Sequence, residues 1–136
     1  MENTIRQRSE IPREDKWAIE DLYPTDEAWE AELATVAEDR DYLASFKGRL
    51  ENAEHLLAFL KRVETLNVKA DRLGNYCMRK SDEDTRNAVY QAMQGKFMSE
   101  MVALGAATSF DTPQIMAIDE KILEGFYQIC PGLERY

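Results

Sequence analysis

From Asn52 to Lys80 the chain contains no proline and a single glycine, Gly74, while Leu56, Leu60, Val63, Ala70, Leu73 and Cys77 step by fours and threes. That period belongs to an α-helix with one apolar side. A helix of about seven turns cannot bury such a side alone, so other elements must cover it along its length. Asn52 is placed to cap its start, with Glu54 in the first turn. Asn67 falls on the seam, where a polar residue can set register between packed helices. Gly74 costs up to ~1 kcal/mol within a helix unless close packing compensates.

The flanking segments read the same way. Thr25 can cap a first helix running to about Phe46, with Asp26 and Glu27 at its start and Trp29, Leu33, Val36, Leu43 and Phe46 as its stripe. Gly48 offers a C-terminal stop. The run Ser81–Thr85 is the next break. A third helix is expected from about Thr85 or Asn87, with Val89, Met93, Phe97, Met101 and Leu104 inward. Thr112 and Pro113 then open a shorter helical stretch carrying Ile115, Met116, Ile118, Ile122, Leu123 and Phe126, and Pro131-Gly132 breaks it.

Residues 1–24 read as an N-terminal arm. Trp17, Ile19, Leu22 and Tyr23 are too apolar for a solvated tail, and Pro24 keeps Tyr23 out of the α region. The expected fold is therefore all-α: an antiparallel bundle of three long helices plus a shorter C-terminal helix over residues 25–136, with an extended arm, 1–24, laid on the helices. The 136-residue length suits one domain, and 6 glycines and 4 prolines are too few for a turn-rich β-sandwich. Charge supports antiparallel neighbours. Residues 26–51 hold 8 acids against 3 bases, and residues 53–80 hold 6 bases against 3 acids.

The net charge of −9 argues against nucleic acid as a partner. The acidic first helix is the wrong sign for an anionic membrane surface. Met1-Glu2-Asn3-Thr4 lacks the basic and apolar regions of a signal peptide, and no apolar run approaches the ~20 residues of a membrane span. A cytoplasmic location is expected. Cys77 and Cys130 read as small buried hydrophobes rather than a disulfide framework.

Catalytic chemistry is absent from the pattern. His55, the only histidine, is followed by Leu56 and has no second imidazole one helical turn away, as a His-Glu-x-x-His zinc site requires. Asp82-Glu83-Asp84 lacks the alternate acids, glycine and distal glutamate of a calcium loop and reads as a capped turn. The isolated glycines form no phosphate loop. Trp17, Trp29, Tyr76 and Phe97 are expected in the core, as are Met93, Met98 and Met101. No catalytic, cofactor-binding or metal residue is assigned.

Three ordered segments nevertheless resemble a family. Trp17-Ala18-Ile19-Glu20-Asp21-Leu22-Tyr23-Pro24-Thr25-Asp26-Glu27-Ala28-Trp29 is similar to the N-terminal signature of oligoendopeptidase F, of the thimet-oligopeptidase group of zinc metallopeptidases. Tyr76 to Thr85, followed by Tyr90-Gln91, resembles the family's tyrosine and acidic-threonine turn. Phe110-Asp111-Thr112-Pro113-Gln114-Ile115-Met116 resembles a third segment, in which the family carries glutamate where Gln114 stands. The resemblance runs from about Arg13 to Tyr136.

It implies the N-terminal helical part of a longer enzyme that hydrolyses short peptides. This part forms one wall, or lid, of the substrate channel, while zinc and the general-base glutamate lie in a catalytic domain missing from this chain. The chain alone is then inactive, and its partners are the catalytic remainder of the polypeptide and, for the whole enzyme, short peptides. Severed from that remainder, apolar surface is expected to be exposed, chiefly on the last helical stretch, so that the chain self-associates or binds the remainder in trans; the alternative is that this stretch completes the chain's own core. The competing reading is a stand-alone helical interaction module without activity. An open reading frame that continues past Tyr136 into His-Glu-x-x-His separates the two.

Overall fold

The computed structural model describes residues 5–136; the reading of Met1 to Thr4 lies outside the described residues. Thr25 ends an extended segment, and its hydroxyl accepts from the Ala28 amide at 3.1 Å, opening α1, Asp26–Ala44. Asn52 accepts from the His55 amide at 3.0 Å and opens α2, Ala53–Glu83. Asn87 accepts from the Val89 amide at 3.0 Å and opens α3, Ala88–Thr108. Each cap satisfies an amide that the helix start leaves unpaired. Gly48, with φ at 75°, supplies the left-handed turn between α1 and α2.

Each of the three long helices packs on the other two. Trp29, early in α1, meets Leu73 and Tyr76, late in α2, while Asp39, late in α1, meets Arg62 and Lys69, so these helices are antiparallel. Phe97 lies against Gly74 and Phe110 against Phe59, which makes α3 antiparallel to α2 as well. The opposite charges of α1 and α2 face each other: Asp39 binds Arg62 at 2.8 Å and Lys69 at 2.5 Å, and Lys80 reaches Asp26 at 3.6 Å. Gly74 has the close packing its position calls for. A Cβ there would lie 2.9 Å from Phe97 Cζ.

The core departs from the expected stripe in one register. Phe59 and Leu66 are buried in α2, while Leu60 and Val63 are only partly covered and Asn67 is exposed. One residue is ~100° of helix, so Leu66 at the seam turns Asn67 to solvent. Asn67 therefore sets no register. Val89 is also exposed, because it sits in the first turn of α3, outside the cleft between α1 and α2 that Met93 and Phe97 fill. The helix α2 continues through Glu83, so the break falls at Asp84–Asn87 rather than at Ser81.

The shorter fourth stretch is two helices, α4, Asp111–Met116, and α5, Glu120–Ile129. Thr112 lies inside α4 and does not cap it; Phe110 holds that position without a side-chain bond. Asp119 accepts from the Lys121 amide at 2.9 Å and restarts the chain as α5. A short 3-10 turn, Pro131–Arg135, then folds Leu133 into the core, and Arg135 and Tyr136 close on Glu64.

The arm is a series of 3-10 turns, Arg8–Glu10, Arg13–Asp15 and Ile19–Asp21. Ile19 and Tyr23 are buried and Leu22 is partly covered. Trp17 is 59% exposed, so the core expectation fails for this indole. It lies flat under the Arg79 guanidinium, 5.4 Å away.

Candidate functional site

The arm reaches α2 by its two buried side chains and leaves a cleft beside them. Tyr23 packs edge-on against Tyr76 at 5.4 Å, and Tyr76 stacks on Trp29 at 6.4 Å. Arg72 donates to the Leu22 carbonyl at 2.8 Å and covers the Tyr23 ring at 5.0 Å. These bonds tie residues 19–23 to one side of α2. The next turns of that side, with Trp17 opposite, enclose a cleft of about 530 Å³ lined by Trp17, Leu22, Asp71, Arg72, Asn75 and Arg79. Arg72 is bonded to the Leu22 carbonyl, Arg79 to Asp82 and over the Trp17 ring, and Asn75 to the Asp71 carbonyl, so the cleft offers a mixed lining of two guanidiniums, an amide, an indole and the Asp71 carboxylate. None of its lining residues is a histidine, serine, threonine or cysteine.

His55 lies far from it, in the first turn of α2. Its Nδ1 donates to the Arg49 carbonyl at 3.2 Å and its Nε2 faces the Arg49 guanidinium at 3.4 Å. Both nitrogens serve the α1–α2 turn. The acidic turn also divides its carboxylates. Asp82 pairs with Arg79 at 3.2 Å, Glu83 pairs with Arg8 at 2.5 Å, and Asp84 accepts from the Arg86 amide at 3.3 Å. Three acids bonded to three separate partners do not converge on a cation. Burial outweighs the cations around Glu83 and holds its carboxyl above the usual range.

Cys77 is fully buried, and burial pushes its thiol up to about 11, which leaves it an inert thiol at neutral pH. Cys130 is half-buried and unpaired with it. Tyr23 is pushed up to about 12, first by burial and then by the Glu32 charge. Tyr76 is raised well above the usual phenol range by burial and by donating to Asp26 at 2.7 Å. Trp29, Tyr76, Phe97 and Met93 are core residues and Met101 is partly covered, but Met98 is 52% exposed on α3.

Among the described residues no three histidine, cysteine, aspartate or glutamate side chains stand together in a way that could hold a metal ion. The residues present therefore do not fit a zinc centre. Among them no helix is long and apolar enough to cross a membrane.

One polar cluster escaped the sequence reading. Asp39 is 5% exposed and takes both Arg62 and Lys69, while Lys69 also donates to Thr35 at 2.8 Å. The signal was available: Asp39 lies three residues past Val36 and four before Leu43, on the apolar stripe itself. A carboxylate at a core position needs paired cations, and the basic helix α2 supplies them.

No family model matches the chain, and no solved structure matches it. Curated relatives do. The chain is 35% identical over 125 residues to oligopeptidase PepF of Bacillus subtilis (strain 168), covering 91% of this chain and 19% of that protein. It is 29% identical over 133 residues to the plasmid oligoendopeptidase F of Lactococcus lactis subsp. cremoris, covering 96% and 22%. It is 28% identical over 130 residues to group B oligopeptidase PepB of Streptococcus agalactiae, covering 95% and 22%. The chain thus spans about a fifth of the length of the relatives it matches. Along nearly the whole of its own sequence, this all-helical chain is a relative of the oligoendopeptidase F peptidases.

Proposed function

We propose that this chain is the N-terminal helical part of an oligoendopeptidase F-like zinc metallopeptidase and serves as one wall, or lid, of the channel that admits short peptides. The carrying observation is the mismatch of lengths: similarity runs through 91% of this chain yet occupies 19% of the B. subtilis relative. Most of such a protein lies elsewhere, and zinc with its activating glutamate belongs there.

The part played by these residues is positional. Three long helices locked by Trp29, Tyr76 and Phe97 make a stiff surface, and a stiff surface beside a catalytic centre keeps folded proteins and bulk water away from it. The cleft beside Trp17, Arg72 and Arg79 adds polar groups to that surface. The whole enzyme acts on short peptides in the cytoplasm, and this chain by itself cleaves nothing.

The test compares the 136-residue chain with the longer polypeptide on internally quenched peptides, with zinc supplied. The expected result is cleavage by the longer polypeptide only, with no stoichiometric zinc bound by the short chain. Cleavage by the short chain, or tight one-to-one zinc binding to it, overturns the proposal.

A further inference from the structure

The helix α3 is covered on one side and, apart from Gln91 and Ser99, apolar on the other. Its inner side sends Met93, Phe97, Met101 and Leu104 into the core. Its only charged side chains turn to α1, Lys96 to Glu30 at 2.6 Å and Glu100 to Arg40 at 3.2 Å. What remains outward is Ala88, Ala92, Gly95, Ser99, Val102 and Ala106, all exposed and spaced by fours and threes, flanked by Met98 and Gly105. Val102 is 70% exposed and Met98 52%. This uncharged face is about 27 Å long at 1.5 Å per residue. A helix that is apolar all round belongs inside a larger structure.

The glycines give a second line of argument. Gly74 is explained by Phe97, but a Cβ at Gly95 or Gly105 would meet no atom within 4 Å, and neither has a positive φ. Nothing among the described residues requires either one, although each weakens the helix relative to alanine. A second helix approaching to ~8 Å does require small residues at such positions.

We propose that the outer face of α3 seats a helix from the part of the longer polypeptide that lies outside this chain. The occupant follows from length. The relatives are about five times as long as the segment matched, so a covalently attached partner is present at every copy. This rests on the reading of the chain as part of a larger peptidase. The last helical stretch, expected from sequence to be the main exposed surface, is divided: Ile118 and Phe126 are buried and Ile115, Leu123 and Tyr127 pack on the core, while Met116, Ile122 and Ile129 stay exposed, and a Cβ at Gly125 would also meet nothing within 4 Å, so it offers a second, shorter apolar face.

The test is Gly95→Arg, made both in the 136-residue chain and in the longer polypeptide. In the short chain the arginine points to solvent and replaces a poor helix former with a good one, so the melting temperature stays or rises. In the longer polypeptide the same side chain wedges between two helices, and the melting temperature falls by several degrees. Gly105→Arg repeats the pattern near the end of α3. Equal shifts in the two contexts overturn the proposal. So does a longer polypeptide that dimerises and becomes monomeric with Gly95→Arg, since the occupant is then a second copy. Peptide cleavage by the unsubstituted longer polypeptide separates the two readings. If it cuts no peptide, the peptidase reading falls, while opposite shifts still support a partner helix on α3.

Discussion

Replacing Gly74 with alanine adds one methyl group at the point where α2 and α3 touch. The new Cβ would sit 2.9 Å from Phe97 Cζ and 3.1 Å from Cε1. Phe97 is 7% exposed, so the ring has little room to retreat. Overpacking of this kind costs ~1–3 kcal/mol. Removing a glycine from a helix interior returns up to ~1 kcal/mol. The net is a loss of up to ~2 kcal/mol, and at about 4 °C per kcal/mol for a chain of this size the melting temperature drops by up to ~8 °C. The same substitution in a Phe97→Leu background meets no ring edge, and there only the helix term remains. Alanine should then stabilise by up to ~1 kcal/mol. Thermal denaturation by circular dichroism of the four proteins in the cycle gives the coupling directly. A Gly74→Ala chain that melts higher than the original refutes the reasoning, because the glycine would then not be held by the ring.

Asp39→Ala leaves Arg62 and Lys69 facing each other over a buried gap and should cost ~3 kcal/mol, at the low end for a broken buried pair since both cations keep some solvent; urea denaturation measures it, and a loss under ~1 kcal/mol contradicts the burial argument. Deleting residues 1–24 removes Ile19 and Tyr23 from the core, worth ~1.5–3 kcal/mol each, and an unchanged melting curve would show that the arm holds nothing. Alkaline stability follows from Cys77 and Tyr23, whose folded values of about 11 and about 12 lie above the ordinary 9.0 and 10.0. The stability tied to their neutral forms is complete below the ordinary values and is lost as pH rises through the folded ones. The melting temperature should therefore hold to about pH 9 and fall between there and pH 12, and Tyr23→Phe, which removes one of the two titrating groups, should soften the fall.

The caps were legible because the chemistry is local: Thr25, Asn52 and Asn87 each place an oxygen two or three residues before a free amide. The pairing of α1 with α2 was legible in their charges, and Gly74 in its isolation within an apolar helix. The register of α2 was not. Phe59 and Leu60, like Leu66 and Asn67, are neighbours on a helix long enough for either row to satisfy the period, and only the position of α1 and α3 selects between them. Trp17 and Met98 misled for a different reason. Large apolar side chains draw a core assignment wherever they fall, yet Trp17 lies beneath Arg79 and Met98 stays 52% exposed. Channel and metal chemistry came from resemblance alone, since no residue pattern in the chain carries either.

The two indoles occupy opposite surroundings. Trp29 is fully buried, its Nε1 donating to the Leu73 carbonyl at 2.8 Å, while Trp17 is 59% exposed beneath a guanidinium. The two indoles are therefore expected to emit at different wavelengths. Trp29, fully buried, is expected to emit to the blue and to shift to the red when α1 and α2 separate. Trp17, more than half exposed, is expected to emit further to the red and to be open to collision with iodide, so its quenching reports the arm. A Trp17→Phe variant read beside the original chain resolves arm detachment from bundle unfolding in one titration, without any added label.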